Sequence, residues 1–361
     1  MYVVTNRWVH EGETGLAQFG DKPNQGGSNN LRLANITRDG DAWQVDFIPD
    51  EPLPQEEVKA LIQEFGLPLK PDDTFYPSLR VACEIARRVR REKRHVLFFV
   101  HGYNNDMHDL LSSAQALESR YGVEVVAFSW PANGGGLHGR LSYKSDKRDA
   151  RASTGALERV LKFMHQYLQW ITNARRERLL ARANQEHKSN PEARDELYAR
   201  LLREDCPFTV NAMYHSMGNY LLKQMLKSSA NEGNALLFDN ITLCQADTNH
   251  LDHPLWVDRL RFRKRLLITI NENDYALGLS RAKLGSEQLA RLGHYLQDLT
   301  SRHAYYVNLT DTPRVRNSHS PFGEPAEKNE KVAAFFQAAF RGGSAERGLK
   351  YHPEGNWYAP K

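Results

Sequence analysis

Cysteine is scarce in this chain: Cys83, Cys206 and Cys244 stand alone and far apart among 361 residues. Three scattered thiols build neither a disulfide framework nor a zinc site, and a reducing compartment is expected. Long apolar runs are missing as well. No stretch approaches the roughly 20 apolar residues that a membrane-crossing helix needs. The opening Met1-Tyr2-Val3-Val4-Thr5-Asn6-Arg7 lacks the apolar core of a secretory signal, so a cytoplasmic location is expected. Nor does one sign of charge dominate: 48 Lys and Arg face 44 Asp and Glu, a formal net charge of +4. That balance is too mild to imply a nucleic acid or an anionic membrane as partner. What remains, 40% hydrophobic and 25% charged residues, is the composition of a globular chain with a core.

The apolar residues come in short runs separated by longer helical patterns. The runs are His95–Val100, Val123–Trp130, Phe208–Tyr214, Ile241–Ala246, Leu266–Ile270 and Ala304–Leu309. They are nearly continuous in Val, Ile, Leu and Phe, as strands covered on both faces are. Helical patterns fall at about 106–120, 146–181, 217–230, 252–262, 275–299 and 326–340, which predicts an α/β fold with a mostly parallel central sheet and helices on both faces. The first 80 residues read as a β/α extension of the same sheet. Leu31–Ile36 and Trp43–Ile48 flank the hairpin turn Asp39-Gly40, and a helix is expected near 55–65. Residues 146–205 are too long for a simple crossover and break near Asn190-Pro191, which predicts a helical arm inserted into a single domain spanning 1–361. Such an arm serves as a cap, as a contact between copies of the chain, or as a solvated excursion.

Chemistry concentrates where strands end. Tyr214-His215-Ser216-Met217-Gly218 closes one apolar run and opens a helical one. A serine on such a turn exposes its hydroxyl above the sheet, at a helix N-terminus that favours developing negative charge. Serine is also a preferred helix cap, and that plainer role fits the same position. His101-Gly102-Tyr103-Asn104-Asn105 follows the His95–Val100 run, and the N–H groups of Tyr103 and Met217 are candidate oxyanion donors. Gly and Asn also serve ordinary turns there. A serine nucleophile needs a histidine base and an orienting carboxylate, which follow it on this fold in the order acid, then histidine. Asp274, after Leu266–Ile270, and His319, in Asn317-Ser318-His319-Ser320, fall in that order. Asp247 is the alternative acid; Asp274 is preferred because it follows the later strand. His294 and His303 are weaker bases. His101, Gly102, Trp130, His215 and Tyr275 are candidates to line the pocket.

The segments FFVHGYNN, AFSWPA, HSMGNYLL, NENDYAL and NSHS resemble an uncharacterised bacterial branch of the α/β-hydrolase superfamily, over most of the chain from about 95 to 320. Val3–Arg7 is similar to its opening strand. The resemblance implies the α/β-hydrolase fold and, by position, a triad of Ser216, Asp274 and His319. It implies no substrate. Two features depart from the pattern: Tyr214 stands where a small residue is expected, and Cys244-Gln245-Ala246 replaces a tighter turn.

Other signals carry less. Gly134-x-Gly136-x-x-Gly139 has the letters of a dinucleotide loop, but no immediate helix follows it. Arg87–Arg94 and Arg259–Arg265 are basic clusters that helix ends explain. His250 and His253 lack a third metal ligand nearby. No metal and no cofactor are expected. The reading is a serine hydrolase acting on a small-molecule ester, thioester or amide. A catalytically inactive scaffold or protein-binding module is the alternative.

Overall fold

The computed structural model describes residues 1–27, 30–132, 143–204, 208–227, 234–282 and 289–360. Cys206 and the Gly134–Gly139 motif lie outside the described residues. The strands are β1 (Tyr2–Thr5), β2 (Arg7–Val9), β3 (Phe19–Pro23), β4 (Arg32–Asp39), β5 (Ala42–Ile48), β6 (His95–Val100), β7 (Val123–Ser129), β8 (Val210–His215), β9 (Phe238–Cys244), β10 (Phe262–Ile270), β11 (Ala304–Asn308), β12 (Leu349–His352) and β13 (Trp357–Pro360). Eleven of them form one sheet in the order β12-β13-β11-β10-β9-β8-β6-β7-β1-β4-β5, and β2 pairs with β3 apart from it. From β13 across to β1 every neighbouring pair is parallel. Antiparallel partners flank this block: β4 beside β1, and β12 beside β13. The chain thus has an α/β fold with a large, mostly parallel sheet.

Sequence explains the layering. Every residue of β7 is buried, and so are the last five of β6, as expected where helices cover both faces. Between them runs the helix Met107–Tyr121, started by a capping box in which Asp106 accepts from the Asp109 N–H. The helix Glu330–Phe340, capped by Asn329, buries Val332, Phe335, Phe336, Ala339 and Phe340. These belong to one core cluster with Leu117 and Tyr121 of the earlier helix and with Leu97 and Phe99 of β6. Tyr121 meets Phe340 edge-on at 5.1 Å.

Chain contacts divide the molecule into two compact units. The first holds Met1–Phe47, His95–Leu161 and Thr209–Lys361, and with them the sheet. The second holds Ile48–Arg94 and Lys162–Phe208. Its core gathers Leu53, Val58, Leu61, Phe65, Leu79, Cys83, Ala86 and Ile171. Burial pushes the Cys83 thiol up to about 12, which makes it a packing group. The helices Thr154–Glu186 and Pro191–Glu204 meet through Ala183, Leu197 and Leu201. Much of the basic run is paired, Arg87 with Glu64 at 2.6 Å and Arg91 with Glu92 at 2.8 Å. Among the described residues no helix is long and apolar enough to cross a membrane.

Two expected helices are shorter than their patterns. In 252–262 the helix covers only Pro254–Val257, because Asp252 takes a positive φ before it and β10 begins at Phe262. In 275–299 it covers Tyr275–Ala282. Further on, Arg291 bridges to Asn249, and Leu292–His294 form a single 3-10 turn. The C-terminal pair β12–β13 is an addition that the apolar-run reading missed, since its strands have four residues each, mix apolar with polar side chains and are mostly half-buried or exposed.

Phe336 is fully buried among four other aromatic rings. Its replacement by Ala is expected to destabilise the sheet-containing unit by about 3–5 kcal/mol, read from the midpoint of urea unfolding.

Candidate active site

β8 ends at His215, and the next residue, Ser216, turns the chain with a φ of 53° before the helix Gly218–Lys227 begins. A left-handed backbone at a non-glycine residue is strained and needs surroundings that enforce it. Here they do. The Ser216 N–H donates to the Cys244 carbonyl at 3.0 Å, and the Ser216 carbonyl accepts from the N–H of Asp247 and of Asn219, each at 3.1 Å. The Asn219 side chain adds bonds to the Tyr214 and Ser216 carbonyls. Close packing then requires glycine twice. A Cβ on Gly218 would lie 2.8 Å from the His101 carbonyl oxygen, and one on Gly102 would lie 2.6 Å from the Ser216 Cβ. Tyr214 does not prevent the turn. Its ring is buried and meets Phe98 edge-on, while the close approach that favours a small residue falls on Gly218 instead.

The loop after β6 presses Gly102 against Ser216: a Cβ on the glycine would also lie 3.2 Å from the Ser216 hydroxyl oxygen. His101 orients the Gly102–Tyr103 peptide. Trp130 donates its backbone N–H to His101 Nε2 at 3.2 Å, leaving the proton on Nδ1, which donates to the Gly102 carbonyl at 2.8 Å. In a planar trans peptide the carbonyl and the following N–H point opposite ways, so this bond also aims the Tyr103 N–H. Trp130, fully buried, stacks on the His101 ring at 5.3 Å and donates its indole N–H to the His101 carbonyl. It therefore supports the loop from below. Arg7, buried at the start of β2, reaches the Asn105 carbonyl at 3.3 Å from the other side. Sequence reading passed over Arg7 as a functional residue; its burial is the signal, and that is visible only in three dimensions.

Asp274 sits in the loop after β10, directly before the helix Tyr275–Ala282, and is 1% exposed. One carboxylate oxygen, Oδ1, accepts from the Leu277 N–H at 3.0 Å and so caps the helix Tyr275–Ala282. The other, Oδ2, accepts from His319 Nδ1 at 2.7 Å. Burial pushes this carboxyl up, yet the bonds from His319, Gln245 and Leu277 outweigh it, and the net displacement is below the ordinary aspartate value. Asp247 is occupied elsewhere: it pairs with Arg291 at 3.1 Å and accepts from Ser280 at 2.8 Å. Of the two acids, Asp274 is the one that meets His319.

His319 lies on the loop after β11, which several bonds strap to the Asp274 loop. Asn271 Nδ2 donates to the Arg316 carbonyl at 2.9 Å, and the Tyr275 N–H donates to the Asn317 carbonyl at 3.2 Å. His215 supplies the link to the serine. Its Nε2–H donates to the His319 carbonyl at 2.8 Å, the two rings are 4.8 Å apart, and His215 immediately precedes Ser216. Burial, with the nearby His319, pushes His215 down to about 3, and burial with Arg7 does the same for His101. Both rings are neutral donors. Tyr275 is exposed at the head of its helix, and Met217 is buried where the helix Gly218–Lys227 begins. His294 and His303 lie in the 3-10 turn and before β11. Among the described residues, one set of ligand atoms lies close enough for a metal, on Asp106, His108 and Asp109. All three are exposed, and the two aspartates already form the capping box.

Residues 80–174 of the chain match a family described as "Alpha/beta hydrolase of unknown function (DUF900)". That stretch carries β6, the His101–Asn105 loop and Trp130; Ser216, Asp274 and His319 lie beyond it. No curated protein and no solved structure matches the chain.

The buried neutral histidines link folding to pH. An unfolded histidine binds a proton near about pH 6.5 while these two resist it down to about 3, so the unfolded state gains protons first as pH falls. Stability is expected to be fully present above about pH 6.5 and to fall toward pH 3, with a slope of up to about 1.4 kcal/mol per pH unit for each ring. Urea unfolding across that range, with His215→Asn showing a shallower slope, checks the expectation.

Proposed function

We propose that this chain, part of which matches an α/β-hydrolase family of unknown function, is a serine hydrolase that cleaves an ester, thioester or amide through an acyl-enzyme on Ser216. The observation that carries the reading is the 2.7 Å bond between His319 Nδ1 and the ionised, immobilised Asp274, tied through His215 to the strained turn that presents Ser216. In the reaction, His319 Nε2 takes the Ser216 hydroxyl proton as the oxygen attacks the substrate carbonyl. The bond to Asp274 keeps the histidine proton on Nδ1 and stabilises the imidazolium that forms. The N–H groups of Tyr103 and Met217 hold the developing oxyanion, the former aimed by His101 through the Gly102 carbonyl. His319 then returns the proton to the leaving group. Water activated by the same imidazole releases the acyl group, and the next cycle begins from the free serine.

Each part has a physical reason to be where it is. An oxyanion donor works only if it is oriented before the charge appears, and the neutral His101 ring, bonded at both nitrogens, meets that need without adding a competing charge. Trp130 beneath His101 serves the same end. Of the pocket candidates His101, Gly102, Trp130, His215 and Tyr275, Tyr275 is the exposed one, a position suited to a substrate's entering group.

The purified chain is expected to react covalently with a fluorophosphonate probe. Ser216→Ala abolishes labelling, and His319→Ala lowers its rate by roughly a thousandfold. A folded wild-type protein that takes up no probe at any pH favours the scaffold or binding-module alternative.

A further inference from the structure

We propose that Gln245, oriented by Thr269, is a positioning residue that holds the Asp274 carboxylate and moderates its pull on His319; this inference rests on the serine-hydrolase reading above. Gln245 is the residue where the sequence departs from a tight turn. It is wholly buried, takes a positive φ of 44°, and directly follows Cys244, whose carbonyl receives the Ser216 N–H. A long carboxamide in such a place needs partners for both ends, and it has them. The Thr269 hydroxyl donates to Gln245 Oε1 at 2.8 Å and accepts the Gln245 backbone N–H at 3.2 Å. Gln245 Nε2 then donates to Asp274 Oδ2 at 3.0 Å. The carboxylate, which only accepts, decides which end of the amide faces it.

The consequence lies in the shared oxygen. Asp274 Oδ2 receives both the Gln245 amide and the His319 Nδ1–H, while Oδ1 is taken by the Leu277 N–H. Two donors on one oxygen divide its negative charge. The amide therefore fixes the carboxylate against rotation and weakens its hold on a protonated imidazole. A fixed but moderated acid orients His319 without over-stabilising its protonated form.

The other titratable groups facing the pair do not compete for this role. His215 on β8 is held neutral to about 3 by burial, and Cys244 on β9 is pushed up to about 12, also by burial. His294 is lowered by burial, against which the charges of Asp274 and Glu272 act to raise it while Arg281 lowers it further. Asp247 is committed to Arg291.

The test is the rate of fluorophosphonate labelling against pH for the full chain, comparing wild type with Gln245→Met, Thr269→Val and Thr269→Ser. Gln245→Met removes the amide at nearly constant shape. It is expected to lower the plateau rate by about tenfold, the worth of a hydrogen bond to a charged acceptor, and to move the acid limb to higher pH. Thr269→Val should move the limb the same way, and Thr269→Ser, which keeps the hydroxyl, should leave it at the wild-type position. The downfield proton resonance of His319 Nδ1–H gives a second readout that needs no turnover; it should shift in Thr269→Val and stay put in Thr269→Ser. If Gln245→Met does not fold, the threonine pair and the resonance decide. An acid limb that stays in place or moves down in folded variants overturns the inference even if the rate falls, and leaves the hydrolase reading intact. A folded wild type that is never labelled overturns both.

Discussion

Ser216 is held in a left-handed backbone, a conformation that costs a non-glycine residue on the order of 1–2 kcal/mol, and much of the surrounding structure offsets that cost. Three backbone hydrogen bonds close around the turn, from Ser216 to Cys244 and from Asp247 and Asn219 back to Ser216. Parallel strands make this arrangement available. β6, β8 and β9 are neighbours whose carboxyl ends all open on the same side, so the loops after them meet at one point. Gly102 arrives from one of these loops and Gly218 from the turn itself, each at a distance that leaves no room for a Cβ. The strain at Ser216 is thus one part of a contact that also places His101, Tyr103 and Gln245.

Polar groups buried around this turn are arranged as donors and acceptors with few charges. His101 and His215 are both neutral rings whose protons point at backbone carbonyls, one at Gly102 and one at His319. Each converts a side chain into a brace for a loop. Charge is carried by Asp274, which three donors surround, by the Asp247–Arg291 pair, and by the buried Arg7 that reaches the loop after β6. Two carboxylates so close in the chain order have separate tasks: one meets the imidazole, the other fastens the segment near Arg291 to the end of β9. Burial alone would favour the neutral form of Asp274, and the donors around it hold its carboxyl below the ordinary aspartate value.

Much of this was legible in the chain because it depends on local pattern. β6 runs over the residues expected, and β7 and β11 end one residue early, since continuous apolar runs bounded by Gly, Asn and Pro mark buried strands. The helix Gln55–Phe65 and the turn between β4 and β5 follow from equally local signals. Local pattern misled where tertiary partners intervene. Residues 252–262 look helical in periodicity, yet β10 starts at Phe262 because its end pairs with Phe238 of β9. Residues 48–94 carry no mark that they form a compact unit with 162–208, as that depends on contacts made across the whole intervening stretch 95–161.

The site divides in the same way. By itself the sequence determined the order of Ser216, Asp274 and His319 and their positions after strands, because strand ends and turn residues are written in neighbouring letters. It left Asp247 and Asp274 as rivals, and it set Gln245 and Tyr214 down as departures. Only the tertiary structure decided that Asp274 meets His319, that Gln245 shares its oxygen, and that Tyr214 is accommodated while Gly218 carries the close approach. The reason is distance along the chain. Asp274 and His319 are 45 residues apart, and His215 and His319 are 104 apart, so no local preference specifies their hydrogen bonds. Sheet order and packing bring those groups together, and they do so only once the whole parallel block has formed.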